Sequence, residues 1–273
     1  MPILMANGVG LYYEVHGEGV PVLGIHGTPS SALMWEDAAG RLARNSRCII
    51  YDRRGFYRSG RPDLSDAVDL ADHVGDAATV LEALSATPAV VIGRSTGGLI
   101  ALELARRHPE MVRTLVLLEP AVLTLHPDAV AWAQQLRRAV LDAAEEDPSS
   151  ASEVVFREVL GGGAWESFPA PLREHFTAAS PAVLAEIRGR GLDLSQAPLE
   201  LSEAEAGHIR QPTLVVSAED SPEALHAVNR RLADLLPNAE TALVAGGHII
   251  DPAGPAVLDF LRRHLPPGSP GQA

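Results

Sequence analysis

A serine between two glycines, at the junction of a strand and a helix, is the feature that most constrains this fold. Gly93-Arg94-Ser95-Thr96-Gly97 follows an apolar run at 89–92 and precedes a stretch with helical spacing at 99–105. A chain that reverses this sharply leaves no room for side chains two residues on either side of the apex. The serine at the apex is then held in a strained backbone conformation, with its hydroxyl above the sheet. The pattern predicts a strand–turn–helix unit that presents Ser95.

Strands and helices alternate on both sides of this turn. Predicted strands lie at 3–5, 11–16, 20–25, 48–51, 89–92, 114–118, 213–217 and 241–244. Predicted helices lie at 31–42, 70–84, 99–105, 222–236 and 256–264. This alternation indicates an α/β protein with a largely parallel sheet that is covered by helices on both faces.

The segment from Val122 to Gly207 interrupts the alternation. It is rich in alanine, glutamate and arginine, and it contains no convincing strand. Because strands of the core bracket it, we interpret 122–207 as a helical cap inserted over the active-site end of the sheet, and a second independent domain is the alternative. The core then comprises 1–121 and 208–265, and the tail 266–273 is predicted to be disordered.

Composition limits the possible partners and the compartment. The net charge is −13, and the arginines form no basic cluster beyond pairs, apart from those loosely spaced over 53–61, which argues against nucleic-acid binding. Cys48 has no second cysteine to pair with, which suits a reducing compartment. No signal-peptide core or membrane-length apolar run is visible. We expect a cytoplasmic protein without nucleic-acid or membrane partners, and homodimer formation stays open.

His248 is the candidate base for Ser95. A serine hydroxyl is a weak nucleophile until a base accepts its proton, and histidine suits this role because its pKa lies near neutrality. Of the ten histidines, His248 alone stands in a glycine-rich loop after the last predicted strand, while His26 is expected to be structural. Six others lie in helical or polar settings and are expected at the surface: His16, His73, His108, His175, His226 and His264.

The serine turn, the motifs quoted below and their order along the chain resemble the α/β-hydrolase superfamily. The resemblance covers nearly the whole length outside the cap. His26-Gly27-Thr28-Pro29 resembles its oxyanion loop, 51–55 and 58–60 resemble the loop after the next strand, and Gly246-Gly247-His248 stands where the superfamily keeps its catalytic histidine. The resemblance implies an α/β-hydrolase fold, with a mostly parallel eight-stranded sheet and an inserted helical cap. It also implies an oxyanion hole built from the backbone N–H groups of Thr28 and Thr96, and no metal or organic cofactor.

The acid that orients His248 is the open member of the site. Most of the superfamily has an aspartate after the penultimate strand, but Ser221 occupies that position, unless Asp220 substitutes through a one-residue shift. One strand earlier, Glu119 ends the strand 114–118, and here the chain is similar to the zearalenone lactonases, which draw a glutamate from this position. A carboxylate there can reach the imidazole N–H and stabilise the imidazolium. We favour Glu119 and keep Asp220 as the alternative; a capping or anchoring role for Glu119 is the non-catalytic interpretation.

The expected activity is hydrolysis of a small-molecule carboxylic ester or lactone by Ser95. A cofactor-free haloperoxidase-like activity or carbon–carbon bond hydrolysis would use the same residues, and a non-catalytic ligand-binding protein is the alternative from another class. Arg94, beside the nucleophile, either pairs with an acid above the sheet, which we favour, or contacts a substrate carboxylate. Apolar residues of the cap line a pocket or form its own core: Trp132, Leu136, Trp165, Phe168 and Phe176.

Overall fold

The computed structural model describes residues 2–61 and 66–265, so the predicted disordered tail lies outside the described residues. Ten strands occur in this range: β1 (Ile3–Ala6), β2 (Val9–His16), β3 (Pro21–Ile25), β4 (Arg47–Tyr51), β5 (Ala89–Arg94), β6 (Val112–Leu118), β7 (Arg190–Gly191), β8 (Ala197–Pro198), β9 (Thr213–Ala218) and β10 (Ala239–Val244). Eight of them form one sheet in the order β1-β2-β4-β3-β5-β6-β9-β10. The pairs β1/β2 and β2/β4 are antiparallel and the others are parallel, which confirms the predicted mostly parallel eight-stranded sheet.

Eleven α-helices accompany these strands within the described ranges. They are α1 (Glu36–Leu42), α2 (Leu70–Ala83), α3 (Thr96–Arg107), α4 (Pro127–Glu146), α5 (Ala151–Leu160), α6 (Gly162–Ser167), α7 (Ala170–Thr177), α8 (Ser180–Arg188), α9 (Glu203–Ala206), α10 (Glu223–Leu235) and α11 (Pro255–His264). Of the helices predicted within the core, each is present, with bounds that differ by a few residues.

The central strands are mostly apolar because both faces of the sheet are covered. Successive side chains of a strand point to opposite faces. In β5, Val91 joins one buried cluster with residues of α2, α3 and α10, whereas Val90 and Ile92 join another with residues of α1 and α11. Every residue of β5 is buried. This double coverage fixes the carboxyl end of β5, where the chain turns into α3.

Between β6 and β9 the chain is mostly helical, and we call residues 122–207 the helical segment. It carries α4 to α9 and the two-residue strands β7 and β8. These two strands pair with each other and do not join the large sheet. Sequence patterns did not indicate this pair, because two residues per strand are too few to show an alternation.

Candidate active site

The two glycines of the turn at Ser95 lie where a side chain would collide with the backbone. A Cβ on Gly93 would lie 2.2 Å from the carbonyl oxygen of Gly97, and a Cβ on Gly97 would lie 2.2 Å from the carbonyl oxygen of Ile25. Neither glycine can therefore be replaced without moving backbone. Ser95 has φ 55° and ψ −124°, a conformation that side-chain-bearing residues rarely adopt. Strain of this kind persists where the surrounding structure enforces it. Ser95 lies directly after β5, at the carboxyl end of the sheet.

A second strained residue, Glu119, directly follows the neighbouring strand β6 and has φ 45°. Its carboxylate is fully buried and accepts three hydrogen bonds. The backbone N–H of Ala218 donates to Oε1 at 2.8 Å, and the Ser221 hydroxyl donates to Oε2 at 2.8 Å. The third donor is His248 Nδ1, 2.6 Å from Oε2. This distance lies within the hydrogen-bonding range that a carboxylate orienting the imidazole requires.

Asp220, the alternative acid, lies elsewhere. Its side chain is exposed, and its backbone N–H donates to the carbonyl oxygen of Gly246 at 2.9 Å. Ser221, at the position where the superfamily usually has its aspartate, is buried and donates to Glu119. The structure therefore brings Glu119, and not Asp220, to the imidazole of His248.

His248 follows β10 and lines a cleft that Ser95 and Thr28 also line. Because Nδ1 donates its proton to Glu119, Nε2 carries the lone pair that can accept a proton. His248 is buried, with 8% of its surface exposed. The arrangement can provide a nucleophile, a base and an orienting carboxylate at one wall of the cleft.

Thr96 and Thr28, the residues expected to supply the oxyanion hole, flank Ser95. Thr96 is the first residue of α3, where the backbone N–H groups have no acceptor within the helix and the helix dipole favours negative charge. Both hydroxyls donate to carboxylates of the helical segment. Thr96 Oγ1 lies 3.0 Å from Asp193 Oδ1, and Thr28 Oγ1 lies 2.7 Å from Glu186 Oε2.

Glu186 belongs to a buried network that sequence reasoning missed. Arg53, with no solvent exposure, donates from Nη1 to Glu186 Oε1 at 2.5 Å and from Nη2 to Thr28 Oγ1 at 2.5 Å. His73 Nε2 lies 2.8 Å from the same Oε1. Burial raises the pKa of Glu186, but the charge of Arg53 and the bonds from His73 and Thr28 outweigh it and hold that pKa at about 2.

The expectation of a surface position for His73 is wrong. His73 is buried on α2, where it shares the inward face with Leu70, Val74 and Ala77. Burial lowers its pKa, as does the charge of Arg53, and both favour the neutral ring. The spacing 70, 73, 74, 77 is that of an apolar helical stripe, so periodicity was the signal that could have located it.

Asp193 is the second carboxyl group of the helical segment that binds a threonine hydroxyl next to Ser95. Burial, together with the negative charge of Glu186, raises the pKa of Asp193 to about 6. Asp193 lines a lobe of the cleft together with Trp132 and Leu136. A carboxyl group with a pKa near neutrality beside a candidate nucleophile is typical of functional sites.

Apolar side chains of the helical segment form both walls and core. Val155, Phe156 and Phe176 line the cleft. Phe156 and Phe176 also pack with Trp165 and Phe168 in an aromatic cluster, their own ring centroids lying 4.4 Å apart. Trp165 and Phe168 therefore serve the packing of the segment, whereas the other aromatic pair serves both purposes.

Arg94 lines the cleft beside Ser95 and has no acidic partner among the described residues. It is 7% exposed, and its one hydrogen bond runs from Nη1 to the carbonyl oxygen of Ile250 at 3.3 Å. Burial lowers its pKa to about 10, although the charge of Asp251 opposes this. The favoured interpretation of Arg94, an ion pair above the sheet, is wrong for residues 2–61 and 66–265, where no carboxylate forms an ion pair with it and Asp251 is bound by Arg41 at 2.7 and 2.8 Å.

Two further properties concern metals and membranes. Residues 2–61 and 66–265 hold no group of three or more His, Cys, Asp or Glu side chains that could bind a metal ion. Across the same ranges, no helix has both the length and the apolar character needed to cross a bilayer.

Comparison with known proteins identifies similar sequences and structures. Residues 20–160 match the family described as alpha/beta hydrolase fold. The uncharacterized hydrolase YraK of Bacillus subtilis is 34% identical over 133 residues, which cover 48% of this chain and about half (49%) of that protein. A protein of Variovorax paradoxus named "Putative carbamate hydrolase RutD" is 33% identical over 275 residues, covering 95% of this chain and 99% of that protein. The solved structure of Est816, described as an N-acyl homoserine lactone degrading enzyme, superposes with a TM-score of 0.66 at 26% identity, covering 96% and 99% of the two chains.

Proposed function

Because the chain belongs to the alpha/beta hydrolase family, we propose that it is a serine hydrolase that cleaves a carboxylic ester, including the cyclic ester of a lactone. The observation that carries the proposal is the 2.6 Å hydrogen bond between Glu119 and His248 at a wall of the cleft that Ser95 lines. Est816 acts on a lactone according to its description, which supports the inclusion of lactones.

In the proposed mechanism, Ser95 Oγ attacks the carbonyl carbon while His248 Nε2 accepts its proton. Glu119 stabilises the imidazolium that forms. The backbone N–H groups of Thr28 and Thr96 stabilise the negative charge on the carbonyl oxygen. The imidazolium then gives its proton to the departing alkoxide oxygen, which leaves as an alcohol, or stays attached to the acyl group when the substrate is a lactone. A water molecule, deprotonated by the same imidazole, hydrolyses the acyl-enzyme.

The acid distinguishes this chain within the family. We assign the role to Glu119 rather than Asp220, which makes the site similar to the zearalenone-lactonase type, with its glutamate after the sixth strand. The support is that the buried carboxylate of Glu119 contacts His248, while Asp220 is exposed. Glu119 also carries hydrogen bonds from two core groups, so its orientation is independent of bound substrate.

We assign the helical segment, 122–207, the role of a cap over a core formed by 1–121 and 208–265. The support is that α5 and α7 contribute Val155, Phe156 and Phe176 to the cleft. As part of the proposal, the substrate is a small molecule, the protein works in the cytoplasm without nucleic-acid or membrane partners, and homodimer formation stays open.

Replacement of Ser95 by alanine tests the proposal. Turnover of 4-nitrophenyl esters and of lactones should fall roughly 10³-fold or more with the fold intact, because nucleophile, base and acid act as a unit. The wild-type protein should also be labelled by a fluorophosphonate probe, and the variant should not. A variant that keeps more than a tenth of wild-type turnover would exclude the serine mechanism, and a wild-type protein that neither reacts with the probe nor hydrolyses esters would be a ligand-binding member of the fold.

A further inference from the structure

Three arginines are buried in the described chain: Arg53, Arg54 and Arg94. A buried guanidinium is costly unless a carboxylate compensates its charge. Arg53 has Glu186 at 2.5 Å, and Arg54 has Asp76 at 2.7 Å. Arg94 differs from both, because no ion pair compensates its charge within residues 2–61 and 66–265.

The surroundings of Arg94 do not replace the missing partner. Its hydrogen bond to Ile250 is long and reaches a neutral carbonyl, and the ring of Trp35 lies 5.9 Å from the guanidinium carbon. The nearby carboxylate of Asp251 is engaged by both terminal nitrogens of Arg41. Although burial lowers the pKa of Arg94 to about 10, the group remains a cation at neutral pH. The guanidinium is therefore charged, and no carboxylate of the described ranges forms an ion pair with it.

The position of Arg94 is the place where a ligand could supply the compensation. Arg94 lines the cleft with Ser95 and His248, and the other walls include the apolar side chains of Met34 and Phe156. In such a low-dielectric setting, a charge-assisted hydrogen bond is stronger than in water. A guanidinium offers two parallel N–H donors that match the two oxygens of a carboxylate. Arg94 is also the last residue of the buried strand β5 and directly precedes the nucleophile.

We propose that Arg94 binds a carboxylate of the substrate, so that the preferred ester or lactone is an anion whose charged group occupies the same cleft as the scissile carbonyl. This inference rests on the proposed hydrolase function and adds the chemical class of its substrate. Arg94 acts here as a substrate-binding residue with no part in proton transfer.

Two matched substrate pairs test the proposal and locate the carboxylate. Mono-4-nitrophenyl adipate and its methyl ester differ in charge on the acyl side, whereas 4-acetoxybenzoate and its methyl ester differ on the alcohol side. The wild-type protein should prefer the anion in one pair. Arg94→Gln should lower kcat/KM for that anion about 10- to 100-fold, the effect of losing a hydrogen bond to a charged group, and change the neutral ester less than about threefold.

Arg94→Lys and Arg230→Gln complete the design. Arg94→Lys keeps the charge but loses the planar pair of donors, so its preference for the anion should be intermediate. Arg230→Gln removes one positive charge from the exposed surface of α10, and its preference should equal that of the wild type. An equal loss for anionic and neutral esters in Arg94→Gln would overturn the proposal and assign Arg94 to holding the loop at Ile250. A wild-type protein without preference in either pair would also overturn it.

A binding measurement separates this proposal from the hydrolase function. Ser95→Ala should bind adipate in calorimetry, and the double variant Ser95→Ala/Arg94→Gln should bind at least tenfold more weakly. If no ester is hydrolysed but this difference is found, the hydrolase function fails and the carboxylate site stands. If no ester is hydrolysed and the two variants bind adipate equally or not at all, both fail. Circular dichroism checks whether each variant is folded. If Arg94→Gln does not fold, the same comparison of anionic and neutral esters is made with Arg94→Lys.

Discussion

The two sides of Ser95 are held in place by different parts of the molecule. On the acid side, Glu119 and His248 follow strands of the large sheet. The donors that fix the carboxylate belong to β9, which Ala218 ends, and to the turn after it, which contains Ser221. On the oxyanion side, both threonine hydroxyls donate to carboxylates of the helical segment. The acid side is therefore complete once the sheet has formed, whereas the oxyanion side also depends on the packing of residues 122–207.

The oxyanion side also contains the buried ion pair whose disruption would cost more stability. Arg53 and Glu186 are both buried, and removal of one member leaves an uncompensated charge in the interior. The carboxylate of Glu119, in contrast, is stabilised by hydrogen bonds from the Ala218 N–H and the Ser221 hydroxyl. Substitutions on the two sides should accordingly separate catalysis from stability.

The largest effect is expected for Glu119→Gln. The amide neither stabilises the imidazolium of His248 nor fixes its tautomer, so kcat should fall about 10³- to 10⁴-fold while the melting temperature changes little. Asp220→Asn is the matched control, because it removes an exposed carboxylate from the same end of the sheet, and its kcat should stay within about twofold of the wild type. Steady-state kinetics on the best ester measure both. The opposite ranking of the two variants would return the acid role to Asp220.

A smaller loss of activity, joined to a loss of stability, is expected for Glu186→Gln. Arg53 would keep a hydrogen-bond acceptor but lose its counter-charge, so the free energy of unfolding should fall by roughly 3 kcal/mol. Displacement of Thr28 should lower kcat about 10-fold, with KM nearly unchanged, because the oxyanion forms only after attack. Glu203→Gln, which removes an exposed partner of Arg231, is the control. Unchanged kcat and stability in Glu186→Gln would refute the dependence of the oxyanion side on the helical segment.

The smallest effect, of opposite sign, is expected for Asp193→Asn. The folded-state pKa of Asp193 is about 6 against an ordinary value of 3.8, so between these pH values the folded protein holds a proton that the unfolded chain releases. Its contribution to stability therefore decreases as pH rises from about 4 to 6 and stays low above. The amide of the variant keeps an acceptor for Thr96 without the charge, so the variant should be more stable than the wild type at pH 7.5. At pH 4.5 the difference in stability between variant and wild type should be smaller. Urea unfolding at both pH values measures this; a variant that is less stable at pH 7.5 contradicts it.

The acid side was accessible to sequence reasoning because each of its residues is marked locally. Gly93 and Gly97 mark the turn at Ser95, Glu119 follows an apolar strand, and His248 stands in a glycine-rich loop after the last strand. The strands themselves could be located because double coverage makes them continuous apolar runs. The contact between Glu119 and His248 is present in the structure, whereas the catalytic roles stay predictions.

On the oxyanion side, the resemblance indicates Thr28 and Thr96, but the carboxylates that bind their hydroxyls could not be predicted, because those contacts are decided by packing. Glu186 lies 158 positions from Thr28 and 133 from Arg53, in a segment that carries no local motif. Which carboxylate meets which hydroxyl depends on where α8 docks, and no pattern in the sequence encodes that. The wrong expectation for Arg94 has a related cause, since only the three-dimensional neighbourhood reveals that Asp251 already belongs to Arg41.

The hydrogen bond from Ser221 to Glu119 has a consequence for how such sites change over time. The ends of the adjacent strands β6 and β9 meet at this carboxylate, because the Ser221 hydroxyl and His248 Nδ1 both donate to Oε2 of Glu119. In this chain one strand end carries the acid and the other carries a small hydroxyl that steadies it. Because the two positions share one carboxylate oxygen, an exchange of these two side chains would bring a carboxylate to the same place from the end of β9, with the nucleophile and the base unchanged in sequence.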